Sequence, residues 1–413
     1  MTGFIDRERA TRLTEGAGIE ALVLCEPEAF QYATGAWIGA AGLFRRAGAG
    51  FVVIPRKADL PVGVVAADFY AAQVRAASPH ALVRTHPIWI ESAPFDASVS
   101  ARPLGERIED GTASLGRAPG FFRPGTFELA NAAAELKRIL DDFGLGRATL
   151  GLDLDFVPAA DFAALRTMLP DCSLVNGSPL LDRLRAIKTA AEIDLLQQGI
   201  VLSEAGLSRL QRHAAPGMRQ AELIALYREG VAGAATGSRQ ASTAEYMTLG
   251  ARAKSADVPA AMGDPLKCDM VCTLGGYAAD MSRNFVFGPP SADQAELHAI
   301  AERAFEAGLA ELMPGRPISG VHRAATESLA RQGLRSYRRG HFGHGVGQSV
   351  FSEQWPYIAA DCDAEIEAGM VLAYEIPLYI DGLASFNLED QFLITTDGPV
   401  SMNRLPRTLG VIG

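Results

Sequence analysis

Two pairs of carboxylates, each set symmetrically about a glycine turn, constrain this chain more than any other feature. Asp269 and Asp280 are equidistant from the junction of Leu274 and Gly275 in CDMVCTLGGYAADMSR, and Glu375 and Glu389 are equidistant from Gly382 in VLAYEIPLYIDGLASFNLEDQFLIT. A β-hairpin closing near its glycine brings each pair side by side on antiparallel strands. Alternation along the first strand puts Asp269, Val271 and Thr273 on one face and Cys268, Met270 and Cys272 on the other. The two cysteines therefore read as packed small hydrophobes rather than partners of the acids. Carboxylates on apolar strands such as residues 370–373 are costly to bury unless cations neutralise them.

His344 lies in GHFGHGVGQSV, where flanking glycines leave room for backbone to turn close to a metal. His341, three residues back, reads as a supporting or substrate-facing group. His80, His86, His213, His298 and His322 read as structural, the last two at partly exposed helix positions. Asp269, Asp280, His344, Glu375 and Glu389 thus form a candidate dinuclear metal site. A pair of buried salt bridges is the competing reading, because ion-pair networks mimic active sites.

The length of 413 residues implies two domains. A net charge of −10 argues against nucleic acid or an anionic membrane as the main partner. Five scattered cysteines suggest free thiols in a reducing cytoplasm. The N-terminus MTGFIDRERATRLTEGAG reads as a helix start rather than a signal peptide. No uninterrupted apolar run of about 18 residues reads as a membrane span.

Residues 1–178 alternate helix and strand. Helices are predicted at 7–15 and 159–169, and strands at 21–25, 50–55, 62–67 and 148–153. Residues 86–124, rich in Pro, Gly and Ser, resist assignment and read as insertions or a surface loop. The turn at Asn176, Gly177, Ser178 and Pro179 marks the boundary to a second domain, 179–413. There helical periodicity resumes at Ile193, Leu196, Ile200 and Leu207. Ser291 to Gln294 reads as a capping box opening a helix over 292–312, and a further helix covers 319–332. The fold class is α/β, of the α+β kind.

Five segments in order resemble the pita-bread metallopeptidases: methionine aminopeptidase, Xaa-Pro aminopeptidase, prolidase and creatinase. They are GDPLKCD (263–269), GYAADMSR (276–283), GHGVG (343–347), EAGMVLAYE (367–375) and NLEDQFLIT (387–395). The stretch LLDRLRAIKTAAEIDLL resembles the entry to the catalytic domain, and the N-terminal half is similar to the smaller creatinase-type α/β domain. The resemblance implies a pita-bread catalytic domain, a homodimer or higher homo-oligomer, and two divalent metal ions. Mn²⁺ is the first choice, and Co²⁺, Fe²⁺ or Zn²⁺ also suit a mostly oxygen donor set. It further implies that Asp280 and Glu389 bridge the metals, with Asp269 on one and His344 and Glu375 on the other. A hydroxide held between the metals would be the nucleophile, with Glu375 shuttling protons and His341 assisting.

The chain departs from the family at two histidines that handle the peptide. The stretch STAEYMTLGARAKSADVPAAM has no histidine, and in QSVFSEQWP Phe351 stands where one is expected. Loss of the upstream histidine also weakens a creatinase reading. A divergent peptidase would need other groups, among them His341, Tyr374 or Glu353. The sequence reading favours a hydrolase cutting the C–N bond of a small, carboxylate-bearing non-peptide molecule. Phe351, Trp355 and Tyr277 would wall its pocket, and Arg252 and Arg283 would hold the carboxylate. For Arg283 a structural ion pair stands equally open, and Arg338 and Arg339 read as a solvated surface pair. The alternatives are an Xaa-Pro aminopeptidase or dipeptidase, a metal-assisted lyase like dimethylsulfoniopropionate lyase, and a non-enzymatic binding module. The intact set of four acids and one histidine argues against the last.

Overall fold

Short runs of β-branched and apolar residues pair into a six-stranded sheet in the first half of the chain. The strands are β1 (Ala21–Leu24), β2 (Gly50–Pro55), β3 (Gly63–Ala67), β4 (Leu82–His86), β5 (Thr149–Leu152) and β6 (Ser173–Asn176), in the order β4-β3-β2-β1-β5-β6. This computed structural model describes residues 3–89, 92–98, 101–117, 128–236, 241–255, 257–349 and 351–413. Two residues of opposite parity in β2, Phe51 and Val52, enter two different apolar clusters, so this sheet is covered on both faces. The predicted helices appear as Arg7–Gly16 and Ala159–Met168. Asp6 caps the first, its carboxylate accepting from the Arg9 amide at 2.9 Å. The stretch that resisted assignment holds the end of β4 and an exposed helix, Leu104–Ser114. Part of it, residues 90–91, 99–100 and 118–124, lies outside the described residues.

The chain divides into two compact units, Met1–Leu184 and Arg185–Gly413. The second is built on one eleven-stranded sheet. Its strands are β7 (Ala241–Glu245), β8 (Thr248–Leu249), β9 (Pro265–Leu274), β10 (Tyr277–Phe287), β11 (His341–Gly345), β12 (Gly347–Gln348), β13 (Gln354–Ala359), β14 (Val371–Ile380), β15 (Ala384–Thr395), β16 (Gly398–Ser401) and β17 (Gly410–Ile412). The main path runs β13-β11-β14-β15-β10-β9-β7.

Helices cover one face of this sheet. Ala190–His213, opened by a Thr189/Glu192 capping box, packs on β9 and β10. Its Gly199 is required there, because a Cβ would come within 2.7 Å of the Ala279 Cβ. Ala292–Leu309 opens with the expected Ser291/Gln294 box and ends before the predicted Leu312, ahead of Pro314 and Gly315. It packs on β14 and β15, where the Tyr374 hydroxyl donates to the Ala304 carbonyl at 3.3 Å. Tyr374 is thus spent in the core. His298 lies on this helix and is buried against Phe386 rather than partly exposed. Tyr374, Ile376, Leu378, Phe386 and Leu388 all point into this core. The period of two along β14 and β15 therefore leaves the odd-numbered side chains, Glu375 and Glu389 among them, on the opposite face. Among the described residues no helix is long and apolar enough to cross a membrane.

Candidate metal centre

The two acidic hairpins close differently. β14 and β15 pair Glu375 directly with Glu389 about the Gly382 loop, as symmetry implies. β9 and β10 instead turn on Gly275 (φ +60°) and Gly276 (φ +89°), pairing Leu274 with Tyr277. Two consecutive positive φ angles suit the tight two-residue hairpin turn, which Gly-Gly favours over a turn centred earlier. Asp269 therefore faces Ser282, and Asp280 faces Val271. The two aspartates are diagonal neighbours rather than a direct pair, and they remain on one face.

β10 then pairs with β15 through Ser282 and Glu389. This lines up Asp269, Ser282, Glu389 and Glu375 across four strands. Ser282 is short, and its hydroxyl donates to the Cys268 carbonyl at 3.2 Å. β11 places His344 opposite Ala373, two residues before Glu375 and on the same face. All five predicted residues line one cavity of about 240 Å³, joined by Tyr246, Lys267, Phe351, Ser352, Glu353 and Tyr379.

Donor atoms of Asp280, His344 and Glu389 lie within 4.8 Å of one another, and all three residues are buried. The His344 Nδ1 lies 3.1 Å from the Gly345 carbonyl. A carbonyl can only accept, so Nδ1 carries the proton and the Nε2 lone pair is free, 4.0 Å from Asp280 Oδ2. Asn387 Nδ2 donates to Glu375 Oε2 at 2.8 Å and to Glu389 Oε2 at 3.4 Å. His341 sits between two acids, with Nδ1 3.6 Å from Glu375 Oε1 and Nε2 3.6 Å from Glu353 Oε2.

Burial and neighbouring like charges raise several acids of the cluster. Burial, then the Asp269 charge, holds Asp280 well above the usual carboxylate range. Burial, then Asp280, does the same for Glu389. Glu375 is pushed up to about 7 by burial and then Asp269. Burial lowers His344 to about 4, which keeps its imidazole neutral. Among the described residues the buried Asp280 Oδ1 has no hydrogen-bond partner. An orphaned carboxylate oxygen, further acids and one free imidazole nitrogen fit a divalent cation well.

The expected substrate contacts fare unevenly. Phe351 lines the cavity, half exposed, its ring 6.5 Å from that of Tyr246. Arg252 is on the surface, paired with Asp381 at 2.9 Å. Tyr277 is buried on the helix-covered face, its hydroxyl donating to Glu192 at 3.0 Å. Trp355, on β13, packs against the helix-covered core. Arg283 is buried and holds the sheet together, donating to the Glu389 and Leu405 carbonyls and to Asp390. Arg283→Met is expected to cost about 3 kcal/mol in urea denaturation, because it strands these acceptors. The KM of the folded fraction should not change. Lys267, Tyr246, Ser352 and Tyr379 went unnoticed in the sequence. The signal for Lys267 was present, since it lies two residues before Asp269 and shares its face.

A sheet carrying an acidic cluster and one histidine, with a separate mixed α/β N-terminal unit, has the pita-bread architecture. The pattern of metallopeptidase family M24 matches residues 194–396, and that of the creatinase/prolidase N-terminal domain matches residues 7–187. The chain is 30% identical over 285 residues to the "Probable dipeptidase PepE" of Mycobacterium bovis, covering 66% of this chain and 74% of that protein. It is 25% identical over 231 residues to the Xaa-Pro dipeptidase of Pyrococcus furiosus, covering 55% of this chain and 65% of that one. Among solved structures, the fold matches dipeptidase PepE from Mycobacterium ulcerans with a TM-score of 0.73 at 24% identity, over 99% of this chain and 100% of that one. X-Pro aminopeptidase from Thermotoga maritima matches with a TM-score of 0.72 at 19% identity, over 98% of this chain and 99% of that one. The chain belongs to metallopeptidase family M24.

Proposed function

We propose that this protein hydrolyses the C–N bond of a small acyl-amine substrate, with Xaa-Pro dipeptides the first class to test. The observation that carries this reading is the convergence of Asp269, Asp280, His344, Glu375 and Glu389 on one sheet face around one cavity. Relatives named as dipeptidases shift the balance toward peptides, away from the non-peptide substrate that the missing histidines suggested.

Asp280, His344 and Glu389 would hold a divalent cation, Mn²⁺ first, with Glu375 and Asp269 at its margins. Such a cation supplies Lewis acidity, acidifying water and polarising a substrate carbonyl. Glu375 Oε1 is placed to accept and return a proton, with Oε2 fixed by Asn387 and His341 3.6 Å away. Phe351 and Tyr246 would exclude water from the substrate's apolar side. A homodimer belongs to this reading.

A second reading, a small non-peptide amide, is favoured by Phe351 itself, which gives the cavity a ring where the family's peptide-handling histidine is expected. The two readings separate in one assay of the Mn²⁺-loaded protein on Xaa-Pro dipeptides and on N-acyl, anilide and aryl-amine acids. Cleavage of the dipeptides supports the first, and cleavage of the second panel alone supports the other. An alkene product without water incorporation would overturn both in favour of a lyase. Glu375→Gln and His344→Ala are each expected to abolish turnover with an unchanged circular dichroism spectrum. Near-normal activity in either would show the site to be misassigned.

A further inference from the structure

Lys267 is the one strong cation inside the cavity among its described lining residues, and the function above does not use it. It is buried, with 7% of its surface exposed. Its Nζ lies 3.0 Å from Asp269 Oδ2 and 3.4 Å from the Tyr379 hydroxyl, and 5.0 Å from the centre of the Tyr379 ring. Strand alternation aims Lys267 and Asp269 at the same face, so the pairing follows from their separation by two along β9. A buried ammonium is held only by partners of this kind, an acid and an aromatic ring.

The acidic cluster is correspondingly lopsided. Asp280, His344 and Glu389 bring donor atoms within 4.8 Å of one another, and Asp269 is outside that group. The resemblance requires Asp269 to hold one of two metals. Here an ammonium is already hydrogen-bonded to its carboxylate, and a divalent ion on the same carboxylate would meet that positive charge at close range.

We propose that the site takes a single divalent cation at Asp280, His344 and Glu389, and that the Lys267 ammonium stands in for the second cation at Asp269. This rests on the reading that the site binds metal at all, and it changes the number of ions and the role of Asp269. Asp269 becomes a positioning residue that anchors Lys267. Lys267 in turn presents a fixed N–H donor to the cavity beside the cation, where it can meet a substrate oxygen.

Metal stoichiometry tests this directly. Metal-free protein is titrated with Mn²⁺ by calorimetry, and metal is counted by mass spectrometry after desalting. The wild type should take one equivalent per chain and give the electron paramagnetic resonance spectrum of an isolated Mn²⁺ ion. Lys267→Met, close in volume and without charge, should take two and show an exchange-coupled pair. Lys267→Gln should behave as Lys267→Met does, which guards against a variant that fails to fold. Two equivalents in the wild type would overturn this proposal and leave the hydrolase reading standing. One equivalent in all three proteins would overturn the role of Lys267. No bound metal in any of them would overturn the hydrolase reading and this proposal with it.

Discussion

Glu389→Gln is expected to abolish hydrolysis and, at pH 8 without metal, to raise the melting temperature. Glu389 is 1% exposed and sits directly opposite Glu375. Burial, together with the charges of Asp280, Asp269 and Glu375, makes its ionised form unfavourable. The amide keeps the shape, and its oxygen can still accept the weak bond from Asn387 Nδ2 at 3.4 Å. Removing one buried like charge should stabilise the metal-free protein by about 1–2 kcal/mol, or roughly 2–4 °C per kcal/mol for a unit of this size. The same change removes a charged donor from the cation site. kcat/KM should fall on the order of a thousandfold or more, about 4 kcal/mol of transition-state stabilisation. A site that trades stability for chemistry predicts both effects together. A buried salt-bridge network predicts the reverse, a lower melting temperature and no catalytic loss, so melts and kinetics on the same preparation separate the two.

The parts of this site that were legible in the sequence are those set by local rules. The β14/β15 hairpin closes about Gly382, and the symmetric placing of Glu375 and Glu389 was enough to pair them. The β9/β10 hairpin follows its Gly-Gly turn instead, which moved the register by one position and replaced a direct aspartate pair with a diagonal one. Turn chemistry outranked symmetry there. The step that completes the row, Ser282 of β10 beside Glu389 of β15, joins segments far apart in the chain, and no local signal announces it. Alternation would have corrected other assignments. Tyr277 and Arg283 differ in parity from Asp280, so they point to the helix-covered face and cannot reach substrate. The same rule places Lys267 beside Asp269. Arg252 lies between β8 and β9, outside any strand, where alternation says nothing. In the first unit, strands buried on both faces read as continuous apolar runs, so β2 was found with its observed bounds.

Mn²⁺ should stabilise this protein increasingly as pH rises from 6.5 to 8. Glu375 titrates near 7 in the folded chain, against an ordinary value of 4.5. Between those values the folded protein holds a proton that the unfolded chain has released, so stability declines as pH rises through this window. Asp280 and Glu389, both raised well above the usual range, act in the same direction. His344 and His298, both lowered to about 4, act in the opposite direction. At pH 6.5 the unfolded histidines are still half protonated, so this opposing contribution, with those of His86 and His341, also lowered by burial, fades only by about pH 7.5 and offsets the carboxylate loss until then. From pH 6.5 to 8 Glu375 should contribute a loss of about 1 kcal/mol, with Asp280 and Glu389 adding to it. Asp153 and Glu192 are also raised by burial, so the metal-free curve alone is not diagnostic. The difference between the two curves is diagnostic, because Mn²⁺ competes with protons only at its own ligands. Cation binding to the folded state adds stability that grows as those ligands deprotonate. Thermal melts at pH 6.5, 7.2 and 8, with and without saturating Mn²⁺, should therefore diverge as pH rises. Parallel curves would show that these acids hold no metal, because a cation bound elsewhere would leave the titration of Glu375, Asp280 and Glu389 in place.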